Sequence, residues 1–175
     1  AIEGFVPCGL NYNAKLVEEA GLDPDNPPTT WGEGLEWHEK LTKFDDAGNL
    51  LQIGLDPYDA VGGTGIDFLA SSWGFEWWDP ETNEFNIDNE EMAQALEVMG
   101  EYVKMIGPDN LAGFRQVEGQ GTWGGSYNME VQAMIHEGYW HPGETMNEKP
   151  EVAANNRATW MYVSDARKGT KVTTS

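Results

Sequence analysis

Along the chain, apolar positions switch between helical spacing and short continuous runs, with turn-forming residues at each change. "GLNYN" predicts an incoming extended segment. Asn13 then opens a short helix that Gly21 stops, because a left-handed cap costs glycine least, and the prolines that follow forbid continuation. Thr30-Trp31-Gly32-Glu33 has the form of a capping box, and Trp31, Leu35, His38 and Leu41 recur at helical spacing, predicting an amphipathic helix to about Phe44. "DDAGN" is a turn composition, and "LLQIGL" after it suits a buried strand. Gly62 and Gly63 then lead into a helix whose inner face is Ile66, Leu69, Ala70 and Trp73.

"FEWWDPETNEFNI" predicts a small hairpin, two aromatic-rich arms around a turn built from Asp79, Pro80, Thr82 and Asn83. The longest helix is expected from about Asn89 to Ile106, with Met92, Leu96, Met99, Val103 and Ile106 on one face and Gly107-Pro108 closing it. Beyond it, "LAGFRQVEGQGTWGGSYN" reads as irregular, while "VQAMIHEGYW" and "ATWMYVS" read as strands, the first ending at a turn on Gly138. "DARKGTKVTTS" leans basic and reads as an exit segment. Strands alternating with helices, without internal repeats, place the chain in the α/β class. Neither end carries a terminating element, as would be expected of a chain cut from something larger.

Composition adds one strong constraint. The chain has 175 residues and 39% hydrophobic content, enough for one domain with a core, but its 30 acidic and 10 basic side chains give a formal net charge of -20. Such a surface repels polyanions, which argues against nucleic acid and anionic membranes as partners. Cys8 is the single cysteine, so no intrachain disulfide forms, and "PCG" suggests a turn bearing a small buried thiol. No stretch is long and apolar enough to span a bilayer, and the first residues lack the basic start and apolar core of a secretory signal. Eight tryptophans require an aromatic core, a ligand platform, or both.

Most candidate chemistries fail on spacing. His136 and His141 are five apart where a helical zinc motif needs four, and Gly138 with Pro142 speaks against a helix across them. No metal or cofactor is expected. Cys8 and the serines lack a G-x-S-x-G elbow, "DPDNPP" has Pro27 where a calcium ligand should fall, and "DDAGN" lacks the required glycine. "VGGTGID" lacks the Lys-Ser/Thr pair of a phosphate loop, so a tight turn before a helix accounts for it, although Thr64 could serve a neutral hydroxyl ligand. Paired carboxylates for glycoside hydrolysis stay open, since 30 acids guarantee chance pairs. Tyr139 and Trp140 at a strand end, beside Gly138, are placed either as core residues or as a stacking platform for the apolar face of a sugar ring.

Taken in order, "NYNAKLVEEAGLDPDNPPTTWGEGLEWHEKLTK", the acidic glycine turn, "FLASSWGFEWWDPETNEFNIDNEEMAQAL", "AMIHEGYW" and "RATWMYV" resemble the extracellular solute-binding proteins of sugar ABC transporters, the family that includes maltose-binding protein. The resemblance implies two α/β lobes that close on a ligand between them, a periplasmic-binding-protein type II fold. Residues 1–175 would form one lobe, bounded by hinge segments near Phe5 to Asn11 and after Val163. It further implies a non-enzymatic, monomeric binding component of an importer, extracellular or periplasmic, whose partners are a sugar or polyol and a membrane permease. Any lipid anchor would lie on a segment absent from these residues. By the same resemblance the ligand would stack on Trp140 beside Tyr139 and Gly138, with polar contacts from Tyr58, Asp59 and Thr64. Two departures stand out: Glu130 occupies a position where relatives have glycine, and Tyr162 and Ser164 stand where they have prolines. The alternatives from other classes are a carbohydrate-active enzyme domain and a standalone protein-interaction module.

Overall fold

The computed structural model describes residues 7–57, 69–86, 88–117, 119 and 124–172. Its centre is a five-stranded sheet formed by β1 (Cys8–Asn13), β2 (Lys43–Phe44), β3 (Leu50–Leu55), β6 (Gln132–Gly138) and β7 (Asn156–Trp160) in the order β2-β3-β6-β1-β7. β3 and β6 run parallel, and the other pairs are antiparallel. A separate hairpin, β4 (Trp78–Asp79) with β5 (Glu84–Phe85), matches the arms and turn expected from the sequence.

The helices follow their end signals. In α1 (Ala14–Glu19) the Asn13 side chain accepts from the Lys15 and Leu16 amides, and Gly21 beyond it takes φ +74. α2 (Trp31–Leu41) starts at Thr30, whose hydroxyl accepts from the Glu33 amide at 3.3 Å. The return half of the expected box is shifted by one residue. The Glu33 carboxylate accepts from the Thr29 amide at 2.8 Å, because the Trp31 amide and the Thr30 region are engaged by the Val163 segment. α2 also stops three residues before Phe44, since Lys43 and Phe44 are drawn into pairing with β3.

α3 (Glu90–Ile106) has Asn89 as its cap and Gly107 as its stop. Its buried face is Ala95, Tyr102 and Ile106, with Leu96 55% exposed, so the apolar stripe sits one residue away from where Leu96 would place it. The stretch read as irregular instead contains α4 (Pro108–Gln116) and α5 (Gly125–Asn128). Pro108 in the first turn of α4 restarts the helix that Gly107 ended. α6 (His141–Glu148) and α7 (Pro150–Ala153) likewise carry prolines in their first turns, Pro142 and Pro150, and neither helix was predicted. β7 ends at Trp160, after which Val163 makes only a bridge to Thr30.

The main core lies on one face of the sheet, where Leu10, Tyr12 and Met134 meet Trp31, Trp37, Leu41, Tyr102 and Tyr162. Trp31 is its hub: the ring stacks on Trp73 at 6.0 Å and meets Tyr102, His136 and Tyr162 edge-on. Its indole N–H donates to Ser72 at 2.9 Å. On the opposite face Ile135 packs with Tyr127 and Val152. Both departures noted in the sequence find a physical account here. Tyr162 is fully buried against Trp31 and His136, and Glu130 has φ +57, a left-handed geometry natural to glycine. The Glu130 carboxylate offsets that cost by pairing with Lys15 at 3.1 Å and accepting from Asn13 at 3.2 Å.

Candidate functional site

Parallel pairing puts the carboxyl ends of β3 and β6 at one edge of the sheet, the edge where ligands of open α/β sheets bind. The antiparallel neighbours bring the start of β1 and the end of β7 to the same edge, with Cys8 opposite Gly138 and Gly9 opposite Trp160. Cys8 therefore sits in a strand, half-buried, and not in a turn. The Tyr139 amide donates to the Pro7 carbonyl at 3.1 Å and so ties the chain reversal to β1.

At this reversal β6 passes through Gly138, Tyr139 and Trp140 into α6. Tyr139 is 66% exposed. Trp140 is half-buried with its indole folded back over Gly138, where any Cβ would overlap the ring, so glycine is required for this close approach. The two rings meet edge-on with centroids 5.3 Å apart. The result is a bent aromatic corner: one ring faces solvent and the other caps the end of the strand.

The two histidines that frame the corner do not converge. His136 is fully buried on the core face, edge-on to Trp31 and Tyr162, and neither ring nitrogen has a hydrogen-bond partner. Burial holds its pKa down to about 3. His141 enters α6 against Tyr127, also held down, to about 4, by burial. Both rings are neutral at pH 7. Among the described residues no group of three or more His, Cys, Asp or Glu side chains is arranged to hold a metal ion.

Tyr58, Asp59 and Thr64 lie outside the described residues. Two residues before Tyr58, Asp56 follows the carboxyl end of β3, is 2% exposed, and accepts from Arg115 Nε at 2.8 Å, with Nη2 on the same carboxylate oxygen. This ion pair anchors α4 to the strand end, and sequence reading missed it. A signal was present, since Arg115 is the single base between Lys104 and Lys149. Trp160, 47% exposed at the end of β7, was also missed. Lys171 Nζ lies 4.5 Å from its ring centroid.

No protein-family model and no curated protein matches this sequence. Solved structures do. The protein called CpMnBP1, with mannobiose bound, superposes with a TM-score of 0.76 at 22% identity, over 93% of this chain and 40% of its own. An ABC-transporter solute-binding protein from Thermotoga lettingae, bound with α-D-tagatose, gives 0.68 at 21% over 93% of this chain and 41% of its own. The cyclic α-maltosyl-1,6-maltose binding protein from Arthrobacter globiformis gives 0.66 at 22% over 96% and 39%. This chain thus spans about 40% of the length of those structures. Among its described residues, no helix is long and apolar enough to cross a membrane. The protein has the mixed α/β fold of the corresponding part of sugar ABC-transporter solute-binding proteins.

Proposed function

We propose that this chain is one lobe of an extracellular or periplasmic solute-binding protein that holds a sugar or polyol for an ABC importer, without turning it over. The carrying observation is the Tyr139–Trp140 corner at the carboxyl ends of β3 and β6, in a fold shared with proteins solved with mannobiose, tagatose and mannitol. Indole packs on the apolar face of a sugar ring, and a half-buried Trp140 backed by Gly138 offers a ring of fixed orientation. Asp59 and Thr64, with Tyr58, supply the hydroxyl contacts in this reading. A second lobe would close over the same edge, hinged near residues 5–11 and after 163, and ligand contacts on both sides would stabilise the closed state that a permease senses. The working unit is a monomer, held at the membrane by a lipid anchor outside these residues.

The test is saturation-transfer NMR with mannobiose, D-tagatose and D-mannitol over the intact chain. Transfer to ligand ring protons is expected for at least one of them, falling at least about fivefold in Trp140→Ala and in Gly138→Ala, which pushes the indole off its seat. Circular dichroism of both variants establishes that they fold. Undiminished transfer in the two variants would remove Trp140 from the site, and release of reducing sugar from an oligosaccharide panel would replace binding by hydrolysis.

A further inference from the structure

The hairpin that carries β4 and β5 stands apart from the sugar reading. Three of its rings lie open to solvent: Trp77 at 47%, Trp78 at 42% and Phe85 at 71%. Trp78 and Phe85 meet edge-on across the two strands at 5.3 Å, and Trp77 meets Phe75 at 5.0 Å, so the rings hold one another in place. The turn beneath them is well tied. Asp79 accepts from the Glu81 amide at 2.8 Å through its side chain and from the Asn83 amide at 2.9 Å through its carbonyl. An aromatic surface of this kind, fixed before any partner arrives, marks an interaction site.

Charge says what kind of partner fits. Residues 44–103 contain 14 of the chain's 30 acids and none of its 10 bases. The hairpin sequence itself carries Glu76, Asp79, Glu81 and Glu84 and no base. Ring faces beside carboxylates are the chemistry that takes a guanidinium or ammonium, the ring through its quadrupole and the carboxylate through charge-assisted hydrogen bonds. A neutral glycan could use the rings and donate hydroxyls to the acids, but it would leave their charge unneutralised, whereas a guanidinium meets both. We infer that the exposed rings of this hairpin, centred on the Trp78–Phe85 pair, dock an arginine-bearing, basic segment of a partner protein.

The experiment titrates N-acetyl hexa-arginine amide into the intact chain at about 0.15 M salt, where the Debye length of roughly 8 Å leaves only contact-range attraction. Calorimetry gives the affinity and NMR follows the indole N–H resonances of Trp77 and Trp78. Saturable binding that moves those two resonances is expected, with affinity falling roughly tenfold in the Trp78→Ala/Phe85→Ala double variant, whose charge is unchanged. Equal affinity in that variant, or indole resonances that stay still in the unaltered chain, would reduce the binding to the chain's net charge and overturn the inference. Movement of the same resonances by a neutral glucan and not by the peptide would overturn it in favour of carbohydrate.

Discussion

Two parts of this molecule are equally rich in aromatic residues and use them in opposite ways. Around Trp31, the rings of Trp73, Tyr102, His136 and Tyr162 close a dry cluster in which Trp31 is 2% exposed. In the β4–β5 hairpin the rings pair with one another but keep roughly half their surface in water. The difference lies in what can be laid over each ring. Trp31 starts an 11-residue helix packed on a five-stranded sheet, so elements approach it from several directions. The hairpin has two strands of two residues each, and a ladder that small cannot bury its own side chains. Aromatic content therefore measures neither core nor interface until the layers around it are known.

The largest effect expected from this contrast is at the hub. Trp31→Ala should cost about 3–5 kcal/mol, because four ring contacts and the bond to Ser72 vanish into a cavity the sheet cannot close. Urea denaturation measures it, and a loss below about 1 kcal/mol would mean the cluster is not the core described here.

A second, smaller effect concerns pH and belongs to the core alone. His136, His38 and His141 have folded pKa values depressed by burial to about 3, 4 and 4, below the unfolded value of about 6.5. The unfolded chain thus binds these protons first. Stability should be full above about pH 6.5 and fall as pH drops toward 4, by up to about 1.4 kcal/mol per pH unit for each neutral histidine. His136→Phe should flatten that slope when unfolding is followed from pH 7 to pH 4.5, and an unchanged slope would show that the buried ring does not set it. Glu33 acts lower on the scale. The Lys168 ammonium and the Thr29 amide hold it at about 2, so its contribution is lost only as pH falls below about 4.5.

The smallest effect is expected where the rings face water. Phe85→Ala should change stability by less than about 1 kcal/mol, since the ring is 71% exposed and gives up little buried surface beyond its edge contact with Trp78. A thermal melt comparing it with Trp31→Ala puts the two aromatic regions on one scale. Similar losses in both would erase the distinction between them.

Much of this was legible along the chain because it depends on neighbours in sequence. Asn13, Thr30 and Asn89 opened helices by bonding amides two or three residues on, Gly21 and Gly107 ended them, and Asp79 to Asn83 formed the hairpin turn. The Tyr139–Trp140 corner was also visible, as a glycine and two aromatics at a strand end. Where tertiary forces competed, local reading failed. Leu96 has the spacing of a buried residue, yet Ala95 fills that space, because the elements packed against α3 admit a methyl there and leave Leu96 outside. α2 lost its last predicted turn to β3, and α4 and α6 formed from glycine-bearing segments with prolines in their first turns.

The sequence by itself determined the helix ends, the turns, the alternation of strand and helix and the excess of negative charge, all set by contacts a few residues apart or by simple addition. Only the tertiary structure decided which tryptophans are core and which are surface. It alone brought Asp56 to Arg115 across 59 positions, and it set Gly138, Cys8 and Trp160 at one sheet edge. Those outcomes depend on strand order and layer packing, which couple residues far apart in the chain and leave no periodic trace in it.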